Sequence, residues 1–217
     1  MKPLRRNAES SEDVTVWDQN PGRGIESAVE DCRHWPPPHG NERRSKTREL
    51  RFLVANDFGH ARWVVSTLQD VGIKLGFFSE CESSRVALAL DEALANAIIH
   101  GNLEIGSGLR ERGDDAYEEL VAARANQAPF QNRSVKVAAT FTAHQAVFVI
   151  RDDGPGFDVA ALCDPTETDN LHRSHGRGLL LIRKMVDEVH HNACGNQITL
   201  IKHRPDIAQM TTAYEIL

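Results

Sequence analysis

Glu92, Asn96 and His100 recur at four-residue steps in the stretch LALDEALANAIIHGN, residues 88–102. At about 100° per residue, Glu92 and Asn96 share one side of a helix, with His100 at its edge. Leu90, Leu94, Ala97 and Gly101 line the other side. Such a row is either the wet face of an amphipathic helix or a set of polar groups presented together. It contains no Lys or Arg and no i,i+4 ion pair, which solvated helix faces usually carry. A second group lies in VIRDDGPGFD, residues 149–158, where an apolar strand runs into Asp152. Asp-Gly-Pro-Gly is good turn chemistry. A carboxylate held at a strand end can also accept a hydrogen bond from an exocyclic amine, with Gly154 and Gly156 letting backbone pass close to a flat ring. A third group, Gly176-Arg177-Gly178-Leu179, opens the helical stretch RGLLLIRKMVDEV. Backbone N–H groups at a helix start carry partial positive charge and suit a phosphate chain. Each group alone also has a purely structural reading.

The elements that must position these residues follow from patterning. RELRFLVAN (48–56) alternates as a strand, and Asn56 or Asp57 can cap a helix running through about Leu75. The helix bearing Glu92 spans about Glu82 to His100. After a polar, irregular stretch with one short helix near 114–126, SVKVAATFT and AVFVIRD read as two strands joined by a tight turn. RGLLLIRKMVDEV has the apolar stripe of a helix, and NQITLIKH closes as a strand after Gly195. This order describes an α+β two-layer sandwich, with helices packed on one face of a mixed or antiparallel sheet.

Residues 1–47 read differently. They hold five of the nine prolines, including PPP at 36–38, and show no periodicity, so a flexible N-terminal tail is expected there. Their eight basic residues balance eight acidic ones, and the net charge of −6 therefore belongs to residues 48–217, the expected folded domain. That charge argues against a general attraction to nucleic acid or anionic membrane. No apolar run approaches the roughly 20 residues needed to span a bilayer. The four cysteines are scattered without CxxC pairs, as for free thiols in a reducing cytoplasm. His190 and His191, adjacent on a strand, would point to opposite faces and so make a poor shared metal site.

The order Glu-x-x-x-Asn on a helix, Asp-x-Gly-x-Gly-Phe after a strand and Gly-x-Gly-Leu opening a helix resembles the GHKL, or Bergerat, ATP-binding fold of gyrase, Hsp90, histidine kinases and MutL. DEALANAIIHGN, DDGPGFD and GRGLLLIRKMVDEV look most like the serine-kinase anti-sigma factors within that group. The likeness covers about residues 48–203. It implies ATP and Mg²⁺ as cofactors, with Asn96 the Mg²⁺ ligand and Glu92 the general base. It further implies Asp152 as the adenine-reading carboxylate, and Gly154 and Gly156 as the first glycine box. Gly176, Arg177, Gly178 and Leu179 would cradle phosphates, Arg173 would reach the γ-phosphate, and Thr199 would lie near the adenine.

The same resemblance implies a cytoplasmic protein serine/threonine kinase that phosphorylates an antagonist protein. Its partners would be a sigma factor, an anti-sigma-factor antagonist, or both, with a homodimer as the partner-binding state. The alternative is a non-catalytic, nucleotide-gated partner-binding module of a bacterial signalling pathway. Two segments depart from compact members: an insertion at 103–133, and residues 158–175, whose polar composition suits a mobile lid over the γ-phosphate.

Overall fold

The computed structural model describes residues 14–18, 47–106, 116–161 and 177–204. Strand β2 (Arg48–Val54) leads through Asn56 to helix α1 (Phe58–Lys74), whose N-cap Asp57 accepts a 2.8 Å hydrogen bond from the His60 N–H. Helix α2 (Glu80–Asn96) begins with a full capping box: Ser79 Oγ accepts from the Glu82 N–H, and the Glu82 carboxylate accepts from the Ser79 N–H. The same helix does not stop at Asn96. It widens into a π-helical turn over Ala97–Asn102, where the Leu103 N–H reaches the Ile98 carbonyl at 2.9 Å. Such an extra residue per turn rotates everything downstream relative to a regular helix, and π-turns are frequent at functional sites.

Helix α3 (Ala116–Ala125) lies in the insertion and is followed by a 3₁₀ turn at Phe130–Asn132. Strands β3 (Val135–Phe141) and β4 (Gln145–Arg151) form the expected hairpin. Helix α4 (Arg177–Met185) is followed by strands β5 (Glu188–His191) and β6 (Gln197–His203). With β1 (Val14–Asp18) at the edge, the sheet order is β1-β2-β3-β4-β6-β5. The β1–β2 pair is parallel and every other pair is antiparallel.

Two elements differ from the sequence reading. The helical stripe of RGLLLIRKMVDEV ends at Met185, and Glu188 onward turns into β5. At that switch the Asp187 carboxylate accepts from Lys202 Nζ at 2.7 Å and from the His203 N–H at 2.6 Å, fixing the chain to β6 instead of letting the helix continue. Within the segment expected as a tail, Val14–Asp18 pairs with the free edge of β2.

Burial explains the layering. Phe52, Val137, Phe148, Ile150 and Leu200 point from the sheet into a core closed by Val64 and Leu68 of α1, Leu90 and Leu94 of α2, and Ile182 of α4. Helix α2 lies between α1 and α4. The row that carries Glu92 and Asn96 is therefore held on the middle helix of the layer.

Candidate functional site

Glu92 and Asn96 are both half-buried on α2, one turn apart. Among the described residues neither side chain is engaged by a hydrogen bond or ion pair. Glu92 faces the first turn of α4. A Cβ on Gly178 would overlap the Glu92 carboxylate, so glycine is the residue that lets the two elements meet. The start of α4 and its outward N–H groups thus stand beside the Glu92–Asn96 row.

At the far end of the same helix the π-turn brings Gly101 against Asp152. A Cβ there would lie 2.6 and 2.7 Å from the two carboxylate oxygens. Gly154 in turn packs on the Gly101 carbonyl with no room for a side chain. Asp152 itself is buried, at 8% exposure, just past the end of β4. Its Oδ1 accepts from the Gly154 N–H at 2.8 Å, and its own N–H donates to the Asn196 carbonyl at 3.1 Å. Among the described residues Oδ2 takes no hydrogen bond, which leaves that oxygen of a largely buried side chain as an acceptor for a donor brought by a ligand. Burial pushes the carboxyl up to about 6, against the pull of the Gly154 N–H; Asp153 adds to the rise and Arg133 opposes it.

Glu92 and Gly101 are nine residues apart on one helical rod, roughly 13 Å at 1.5 Å per residue. A ligand lying along α2 would meet a buried carboxylate at one end. At the other it would meet an amide, a second carboxylate and a helix N-terminus. Those donor types suit an amine-bearing base and a phosphate chain. The Asn96 amide oxygen is a hard ligand that fits Mg²⁺, whose other ligands would be phosphate oxygens and water.

Gly156 has φ +76° and abuts the Cys194 carbonyl, which pins the Asp152 loop onto the β5–β6 turn. Gly178 and Leu179 lie in the first turn of α4, half-buried, and Arg177 is its first residue. Arg173 and Gly176 lie outside the described residues, as does most of the expected lid. Thr199 requires a correction. It pairs with Val149 and His190, whereas the core-facing partners are Phe148 with Leu200 and Ile150 with Ile198. Strand alternation therefore puts Thr199 on the sheet face away from the helices. The β6-side residue that reaches Asp152 is Asn196, with its Nδ2 3.4 Å from the Asp152 carbonyl. His100 is exposed and its Nδ1 bonds to the Ile105 carbonyl at 2.5 Å, a structural use that turns it from the row.

Sequence reasoning missed Gly101, which reads as one more small residue on a packing stripe. It also missed Asn102, fully buried two residues after His100; an amide at the end of so apolar a helix was the available signal.

Residues 54–202 match the family model of the histidine kinase-like ATPase domain, and the chain belongs to that family. A search of curated proteins returned no match. Membership agrees with the α+β architecture and with the GHKL superfamily, and it supports ATP binding by this domain. Among the described residues no helix is long and apolar enough to cross a membrane.

Proposed function

We propose that the protein is an ATP-dependent serine/threonine kinase of the anti-sigma type, acting with Mg²⁺ on an antagonist protein. The observation that carries this reading is the Glu92–Asn96 pair, unengaged among the described residues, beside the glycine-led start of α4. In that role Asp152 Oδ2 accepts from the adenine amino group, and the N–H groups opening α4 receive phosphate oxygens. The Asn96 oxygen would ligate Mg²⁺, which when bound would offset the charge of the triphosphate. Glu92 takes the proton of an incoming serine hydroxyl as its oxygen bonds to the γ-phosphorus. The bond from that phosphorus to the β-phosphate bridging oxygen breaks, and ADP departs.

Glu92→Gln is expected to abolish transfer of labelled phosphate to the antagonist while leaving ATP affinity within about twofold of wild type. Wild-type protein that binds ATP but phosphorylates no antagonist candidate, with Glu92→Gln indistinguishable from it, would leave the non-catalytic, nucleotide-gated module as the reading. Support for that second reading is the way the insertion is built into the nucleotide end of the fold, where a partner could be coupled to occupancy without chemistry.

A further inference from the structure

The insertion does not stand apart from the site. Phe130 is clasped by two guanidinium groups, Arg124 at 5.2 Å and Arg133 at 5.1 Å from its ring centroid. Arg124 donates to the Leu103 and Glu104 carbonyls, and Arg133 to the Asn102 carbonyl and the Glu104 carboxylate. The chain there turns sharply, with Glu104 at φ +52°, a conformation rare outside glycine. The clasp therefore holds the exit of the π-turn in one shape.

From Phe130 a chain of amide hydrogen bonds runs inward. The Phe130 carbonyl accepts from Asn56 Nδ2 at 2.9 Å, and Asn56 Oδ1 accepts from Asn102 Nδ2 at 2.8 Å. Asn102 Oδ1 then accepts from the Asp153 N–H at 2.9 Å. That N–H belongs to the peptide group immediately after Asp152. The Asp153 carboxylate is tied separately, to the Ser134 N–H at 3.0 Å and Lys136 Nζ at 3.1 Å. Asn102 is wholly buried, where an apolar residue would cost less, so its return must come from the arrangement it imposes. Without it the Asp153 N–H loses its partner, and the Asp152–Asp153 peptide keeps only the long 3.4 Å bond from Asn196 Nδ2 to the Asp152 carbonyl, a weaker hold on the carboxylate attached to it.

We propose that Asn102 is a positioning residue for the Asp152 carboxylate, and that the Asn56–Asn102 pair makes the 103–133 insertion part of the device that selects an adenine base. This rests on the reading of Asp152 as the group that accepts from the adenine amine. A hydrogen bond is sensitive to angle, so a carboxylate whose backbone is less firmly held loses the donor-specific share of affinity and keeps the phosphate share.

The test compares the binding of ATP and of purine riboside triphosphate, which is ATP without its 6-amino group, by calorimetry with Mg²⁺ present. Wild type should prefer ATP by about tenfold or more, the worth of one good hydrogen bond to a charged group. Absence of that preference in wild type would overturn the role of Asp152 itself, and the positioning role with it. Given the preference, Asn102→Ala should weaken ATP about tenfold and leave the other nucleotide unchanged. Equal losses for both nucleotides, or a retained preference, would overturn the positioning role alone. Asn56→Ala, at a half-buried position, should lower the preference about threefold. It decides the question if Asn102→Ala does not fold, and a wild-type preference in Asn56→Ala would remove the insertion from the device.

Discussion

At the residue scale the site is a set of groups that the described residues leave underused. Asp152 is the clearest case, because its burial costs stability once it ionises. Its carboxyl is held up to about 6 in the folded chain, against an ordinary value of 3.8. A raised folded value means that the stabilising share is complete below about pH 4 and is lost as pH climbs through about 6. Asp152→Asn is therefore expected to melt at a higher temperature than wild type at pH 7, by an amount corresponding to about 2 to 3 kcal/mol. The gain should vanish near pH 4, as followed by thermal denaturation at both pH values. The same variant should lose selectivity for ATP, so stability and recognition would move in opposite directions. ATP affinity of wild type should likewise weaken as pH falls below about 6, where protonation removes the charged acceptor. At the other end of α2, Asn96→Ala should reduce Mg²⁺-dependent ATP binding while leaving metal-free binding nearly unchanged; titrations with and without Mg²⁺ separate the two.

At the element scale, α2 with its π-turn is the part on which the rest is aligned. Glu92 and Asn96 were legible as a polar row because four-residue spacing on a helix is visible in any sequence. The π-turn was not, since it follows from how Ile98, Ile99 and Leu103 pack once the helix reaches the sheet. Its effect is to bring Gly101 and Asn102 onto the Asp152 loop, an approach that tolerates no side chain at Gly101. Gly101→Ala should therefore displace the Asp152 carboxylate, lower the stability by about 1 to 3 kcal/mol as overpacking does, and weaken ATP binding at least tenfold. Denaturant unfolding and nucleotide titration of the one variant check both. Gly178 makes the matching demand at α4, where a methyl group would meet Glu92. Thr199 shows the limit of motif transfer in the same terms: one step of strand register decides which face a residue occupies, and register is set by pairing with β4.

At the scale of the whole molecule, the sheet continues past the family-matched region at its β2 edge. Strand β1 pairs with Glu49–Leu53 on the side of β2 that β3 leaves open. The five-residue strand β1 pairs only with β2, on the sheet edge away from β4 and β6, so removing residues 1–46 is expected to leave the nucleotide site working. Amide exchange should then accelerate in Arg48–Val54 and remain slow in Val135–Phe141, which lies between two strands. Slow exchange throughout β2 after the truncation would mean that β1 is not what covers that edge.

By itself the sequence determined the α+β class, the places of β2, α1, α2, α3, β3, β4 and β6, and the three motifs whose order points to an ATP-binding domain. These rest on local periodicity and on residue chemistry a few positions apart, both carried along the chain. Tertiary structure alone decided the contacts between motifs: Gly101 against Asp152, Gly178 against Glu92, Asn196 instead of Thr199 at the Asp152 loop, and the amide chain from Phe130 through Asn56 and Asn102 to Asp153. It also decided where α4 gives way to β5, because Asp187 finds its partners on β6. Those outcomes join residues tens of positions apart, and their energies exist only after the helices have closed on the sheet and excluded water between them.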